Sequence, residues 1–188
     1  MANYKIPYTA YGVLGMPIAM VALPIYVHIP SFYANLGLSM GTIGIILLSL
    51  RLFDAVQDPI IGYFGDRYTH ATLGRKVYIY GASPMLAIGF CALFNPMTST
   101  NLGHACWLIV SLTVIYSAFS VLYINYLALG TEIGKTYNDH TKIAASRACF
   151  GIFGVTIALT LPELITLNTK DPQSSLFWFS VAFVPMLF

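Results

Sequence analysis

Charge is what this sequence has least of. Asp, Glu, Lys and Arg make up 9% of the 188 residues, against 57% hydrophobic residues. Soluble domains carry about 25% charged residues, so a soluble fold of this size could not cover its surface. That excludes a cytosolic enzyme, a nucleic-acid binder and a disordered chain. Cysteine is also sparse: Cys91, Cys106 and Cys149 are odd in number and lie in apolar stretches, as packing thiols do. The histidines, His28, His70, His104 and His140, are scattered, and none is spaced with another as a metal-ligand pair. No cleavable leader is legible at residues 1–5, because the first apolar run is too long and lacks a small-residue cleavage site. Net charge is only +2, which points to no polyanionic partner and no nucleic acid. What is present is apolar length, with a mean hydropathy of +0.74. The composition defines an all-α, polytopic membrane protein whose first partner is the lipid bilayer.

The gaps between charges place the spans. No Asp, Glu, Lys or Arg occurs from Ile6 to Leu50 or from Val77 to Thr131. Each gap accommodates two crossings of roughly 20 residues. The first turns at Asn35-Leu36-Gly37-Leu38-Ser39, the second around residues 95–101. The expected spans are 8–33, 39–65, 77–95, 103–130, 142–167 and 174–188, the last incomplete at about 24 Å against a ~30 Å hydrocarbon core. Helices are required because lipid satisfies no open backbone group. Residues 40–50 also lack the alternation of a barrel strand. With the N-terminus in the cytoplasm, inner segments hold Lys5, Arg67, Arg75, Lys76, Lys135, Lys142 and Arg147, and outer ones hold only Lys170. That asymmetry predicts an N-in topology. Pro17, Pro24 and Pro30 in the first span are read either as ordinary membrane-helix prolines or as a bent helix lining a cavity.

The second span carries charge where charge costs most. Arg51, Asp54 and Asp58 share one helical face within an otherwise apolar stretch. Each such charge costs about 2.5–3.5 kcal/mol at mid-membrane, so the three must face protein or water. A salt bridge from Arg51 to one Asp would only fix packing, and it leaves the other Asp unpaired. Fully ionised, the cluster sums to −1, and one monovalent cation or one proton neutralises it. Gln57 and the carbonyl freed by Pro59 add oxygen donors, a hard set suited to Na⁺ and not to zinc or copper. Beyond this span, Asp66 can pair with a basic residue, while Arg75 and Lys76 anchor the next helix at the inner interface. Tyr123, Asn125 and Tyr126 on helix 4, with Tyr11 and Tyr26 on helix 1, are candidates for facing a solute, against the alternative that abundant Tyr lines interfaces. His28 is a candidate proton relay, and Glu163 near the outer end of helix 5 either caps or faces an outer cavity. Gly154 and Ala158 suit close helix packing.

The segment Arg51-Leu52-Phe53-Asp54-Ala55-Val56-Gln57-Asp58-Pro59-Ile60-Ile61-Gly62 resembles the second-helix motif of the glycoside–pentoside–hexuronide cation symporters. This melibiose-permease-like family lies within the major facilitator superfamily. Gly62-Tyr63-Phe64-Gly65-Asp66-Arg67, followed by Gly74-Arg75-Lys76, resembles the superfamily's loop between helices 2 and 3, lengthened here by residues 68–73. Ala128-Leu129-Gly130-Thr131-Glu132, then residues 138–142 and Arg147, is similar to the family's helix 4–5 loop. The resemblance implies the six-helix N-terminal bundle of the major facilitator fold. It implies Asp54, Gln57, Asp58 and Ser120 as cation ligands, with Arg51 in the same charge network. It implies Arg147 as a substrate contact and Asp66, Arg67, Arg75 and Lys76 as a gating loop. The family's helix-1 acid, which holds sugar hydroxyls, falls near Ile18. A second acid is replaced by Tyr123, and a nearby Trp falls at Leu127. The cation half of the pattern is kept and the sugar half is largely changed.

The function expected is a Na⁺- or H⁺-coupled symporter of a sugar or related small polar solute, in a bacterial inner (plasma) membrane, with no cofactor beyond the coupling ion. A non-transporting subunit or assembly factor of a larger membrane complex is the alternative. No nucleophile–base pair, phosphate loop or metal cluster supports an enzyme. The family has twelve spans, so 188 residues are expected to be the N-terminal portion of a longer protein, completed by a C-terminal half or a partner subunit.

Overall fold

The computed structural model describes residues 7–68, 74–169 and 172–187, and side chains within them except at 167–169 and 172–174. His70, Lys5, Lys170 and most of the 68–73 loop extension lie outside the described residues. The order is α1 (Tyr8–Val13), α2 (Gly15–Asn35), α3 (Met40–Arg67), α4 (Lys76–Leu93), α5 (Asn101–Ile133), α6 (Tyr137–Thr169) and α7 (Pro172–Leu187). No strand occurs among the described residues. The stretches Tyr8–Asn35, Met40–Arg67, Lys76–Leu93, Asn101–Ile133 and Tyr137–Thr166 are long and apolar enough to cross a membrane, and Ser175–Leu187 is a shorter apolar helix. The chain is therefore an integral, multi-pass, all-α membrane protein.

Local chemistry sets the helix ends. The Ser39 hydroxyl accepts from the Thr42 N–H at 3.1 Å to open α3, and the Thr100 hydroxyl accepts from the Gly103 N–H at 3.1 Å to open α5. At α6, Asp139 accepts from the Thr136 N–H at 3.1 Å while the Thr136 hydroxyl accepts from the Asp139 N–H at 3.3 Å, a reciprocal cap. The α2–α3 turn passes through Gly37 at φ +96, a left-handed backbone that favours glycine. Leu14 separates α1 from α2. Pro17 has no N–H for the Val13 carbonyl, which accounts for the interruption there.

Packing follows the small residues. α2 lies along α6 and α4 along α5, with α3 against α5. A Cβ on Gly154 would strike the Met16 carbonyl oxygen, and Ala158 one turn on is fully buried, so α2 and α6 meet backbone to backbone. An aromatic cluster joins α4 to α7, with the Phe90 ring 4.8 Å from Phe183 and 5.9 Å from Phe179. The Tyr33 hydroxyl donates to the Leu93 carbonyl at 2.8 Å, and the Trp107 indole to the Ala92 carbonyl at 2.8 Å. Cys91, Cys106 and Cys149 are all free thiols. α3 turns Ile45, Leu48, Val56 and Ile60 outward.

Candidate cation and solute sites

α3 and α5 assemble the first site. Asp54 is 5% exposed. One of its oxygens accepts from the Arg51 guanidinium at 2.9 Å and the other from the Ser120 hydroxyl at 2.9 Å. One turn further along, the Gln57 carbonyl oxygen accepts from the Ser117 hydroxyl at 2.8 Å. Asp58 Oδ1 is buried with no hydrogen-bond partner, as is Gln57 Nε2. Arg51 compensates Asp54 alone and is itself 63% exposed at its side chain. A buried carboxylate oxygen without a donor is costly unless something positive reaches it. Carboxylate, amide and hydroxyl oxygens form the hard donor set that an alkali cation takes. Among the described residues, no three His, Cys, Asp or Glu side chains converge as a metal site. The structure thus brings Arg51, Asp54, Gln57, Asp58 and Ser120 together. Ser117 is a member that sequence reading missed. Its signal was the i, i+3 spacing to Ser120, which puts both hydroxyls on the α3-facing side of α5.

A cavity of about 370 Å³ opens between α2, α5 and α6. Ile18, Phe119, Tyr123, Tyr126, Arg147 and Gly151 line it. Tyr123 stacks on Phe119 with centroids 5.5 Å apart. Behind Tyr126, a reciprocal lock ties α1 to α5. The Tyr11 hydroxyl donates to the Tyr126 carbonyl and the Tyr126 hydroxyl to the Tyr11 carbonyl, both at 3.0 Å, with the rings stacked at 4.4 Å. Gly130 permits it, since a Cβ there would lie 2.5 Å from the Tyr11 hydroxyl. Ile18 stands in the wall at 4% exposure. Two of the solute candidates lie elsewhere. Asn125 donates to the Val121 carbonyl at 2.8 Å and turns its buried Oδ1 toward Gly65 of α3. Tyr26 is exposed and sits beside Tyr116. Neither borders this cavity. A smaller cavity of about 190 Å³, bordered by His28, Ser31, Glu163 and Thr166, lies between α2, α6 and α7.

At the other end of α3, Arg75 bridges three helices. Its Nη2 donates to Asp66 at 2.6 Å and its Nε to Glu132 at 2.6 Å, with its own side chain only 12% exposed. Glu132 is the partner that sequence reading did not assign. Arg67 donates to the Tyr63 hydroxyl and lies over the Tyr63 and Tyr68 rings at 5.8 and 6.0 Å, so it is not part of that bridge. Lys76 is half-buried in the first turn of α4.

Apolar helices long enough to span lipid, one of them carrying Asp54 and Asp58, define a multi-pass membrane protein. The MFS/sugar transport protein family matches residues 8–187, and the chain belongs to that family. An uncharacterised symporter of Synechocystis sp. is 29% identical over 173 residues, covering 87% of this chain and 32% of that protein. The sodium-dependent lysophosphatidylcholine symporter 1 of Xenopus tropicalis is 23% identical over 168 residues, 88% of this chain and 30% of that protein. The inner membrane symporter YicJ of Escherichia coli is 32% identical over 114 residues, 59% of this chain and 24% of that protein. The chain spans about a third of the length of the curated relatives it matches. They are transporters of the symporter type, not enzymes, and the resemblance to the glycoside–pentoside–hexuronide symporters holds.

Proposed function

We propose that this chain is the cation-binding part of a secondary symporter, in which Na⁺ or H⁺ drives uptake of a small solute across a bacterial inner membrane. The observation that carries the reading is the partnerless buried oxygen of Asp58, beside an Asp54 already committed to Arg51 and Ser120. One cation, or one proton, brings the cluster to neutrality. The symporter relatives support it, and the Xenopus relative is sodium-dependent by name.

In this reading the cation enters first, liganded by Asp54, Gln57, Asp58 and Ser120. The neutralised α3 face then strengthens solute binding in the cavity between α2, α5 and α6, a coupling that is reciprocal by linkage. The N-terminus is cytoplasmic, and the spans run 8–33, 39–65, 77–95, 103–130, 142–167 and 174–188. The Arg75 bridge to Asp66 and Glu132 closes the cytoplasmic end until the bundles rock. Vesicles holding the full-length protein test this directly. Labelled solute should accumulate when an inward Na⁺ gradient or pH gradient is imposed and not when both are collapsed. Accumulation that ignores both gradients would remove the reading.

A further inference from the structure

Several hydroxyls of α5 and α6 bond within their own helix. Thr113, Thr131, Thr156 and Thr160 each donate to a carbonyl three or four residues back, at 2.7, 2.7, 2.9 and 2.9 Å. That short-range bond is open to any helical Ser or Thr. Ser117 does not take it. Its hydroxyl leaves α5 and donates across to Gln57 Oε1 of α3 at 2.8 Å. Ser120, three residues on, likewise crosses to Asp54 at 2.9 Å. The carboxylate that Ser120 meets can only accept when ionised. The amide that Ser117 meets has an accepting end and a donating end, and a hydroxyl can answer either.

The state of the Gln57 amide gives that versatility a use. With Oε1 on Ser117, its Nε2 is buried without an acceptor, and Asp58 Oδ1 on the next residue is buried without a donor. The described residues themselves enclose both atoms. The last torsion of a Gln side chain is broad and roughly two-fold. Turned over, the amide donates from Nε2 to the Ser117 oxygen and presents Oε1 where Nε2 now lies. Ser117 then accepts, and its own proton is released to the Thr113 carbonyl one turn back. An empty site has no use for the exposed amide oxygen. A sodium ion does, because a shell of hard oxygens holds it. A proton does not, because it forms one O–H bond on a carboxylate and takes no shell.

We infer that Ser117 is a positioning residue that sets the ion choice of the α3–α5 cluster: it holds the Gln57 amide in either setting and so makes the amide oxygen available to Na⁺. This rests on the symporter reading above and deepens it. Ser117 acts through Gln57 and not by touching the ion. Removing its hydroxyl should therefore weaken sodium binding and leave proton binding alone.

Three substitutions in the purified full-length protein test it. Ser117→Thr keeps the hydroxyl, Ser117→Val is nearly the same shape without one, and Ser117→Ala removes it without adding bulk. Equilibrium binding of radioactive sodium gives each Kd, and proton uptake is titrated in sodium-free buffer. Ser117→Ala and Ser117→Val should bind Na⁺ about three- to tenfold more weakly than wild type, the worth of one hydrogen bond. Ser117→Thr should stay within about twofold of wild type. Proton uptake should be the same in all four proteins. A residue that only packed α5 on α3 would instead lower the thermal midpoint and shift both ions together. Equal sodium affinity in Ser117→Val and Ser117→Thr would overturn the inference. So would unchanged sodium affinity in Ser117→Ala, or a loss of proton uptake parallel to the loss of sodium. A wild type that takes up protons but no sodium overturns it and leaves the symporter reading intact. A wild type that binds neither ion removes that reading, and this inference with it.

Discussion

Replacing Asp58 by Asn should weaken the cation dependence of uptake at least tenfold while making the protein no less stable. The two side chains are nearly isosteric, so the fold around α3 has no reason to change. What changes is charge: the cluster of Arg51, Asp54 and Asp58 becomes neutral without a bound cation or proton. The Asn amide also puts donors where Asp58 Oδ1 now has none. A charged hydrogen-bonding group contributes about 1.5–3 kcal/mol, so cation activation should weaken at least tenfold and by as much as a hundredfold. Removing a charge whose Oδ1 is buried without a donor relieves a desolvation cost, so the thermal midpoint should hold or rise. That combination separates a functional carboxylate from a structural one. If Asp58 only fixed helix packing, the substitution would lower the midpoint and leave the ion dependence of transport intact. Uptake in vesicles and a melting curve on the same preparation read both quantities.

Gly154→Val should be the most damaging substitution in the packing between α2 and α6. The added Cβ falls on the Met16 carbonyl, which is backbone and cannot rotate away as a side chain can. The helices must separate, and Ala158 and the Arg147 wall of the cavity separate with them. Overpacking of this kind costs about 1–3 kcal/mol and occasionally more. Gly154→Ala should show a smaller loss in the same direction, because its helix-propensity gain of up to about 1 kcal/mol offsets part of the clash. Gly44→Ala on α3 is the control, since a Cβ there meets nothing within 4 Å. It should be neutral or slightly stabilising. Equal midpoints for Gly154→Val and Gly44→Ala would show that α2 and α6 do not meet as described.

How legible each feature was in the sequence depended on how local its physics is. The all-α membrane class followed from composition, and the turn at Gly37 from local chemistry. Asp54 and Asp58 stood out because charge in an apolar run has few explanations, and their spacing on one face is a property of α3 alone. Ser120 was reachable only through resemblance, because its role depends on the rotation of α5 against α3. Ser117 has the same dependence and carried no motif. Asn125 shows the reverse effect. It neighbours Tyr126 in sequence, yet a helix turns about 100° per residue, so the two side chains point to different places. Tyr126 borders the cavity while Asn125 turns its Oδ1 to Gly65. The Tyr11–Tyr126 lock and the Glu132–Arg75 pair join residues far apart in the chain, and no local pattern announces such contacts. Arg147 is a mixed instance. Its membrane position was readable, but its place in the wall of the cavity between α2, α5 and α6 is a fact of the assembled helices.

In the symporter reading the α3–α5 cluster is one positive charge short. Equilibrium binding of radioactive sodium to the purified full-length protein, with proton uptake measured on the same sample, tests it most directly. One saturable cation per chain, Na⁺ or H⁺, should bind wild type and bind Asp58→Asn at least tenfold more weakly. A wild-type protein that takes up neither ion, or an Asp58→Asn variant that binds it with unchanged affinity, would contradict it.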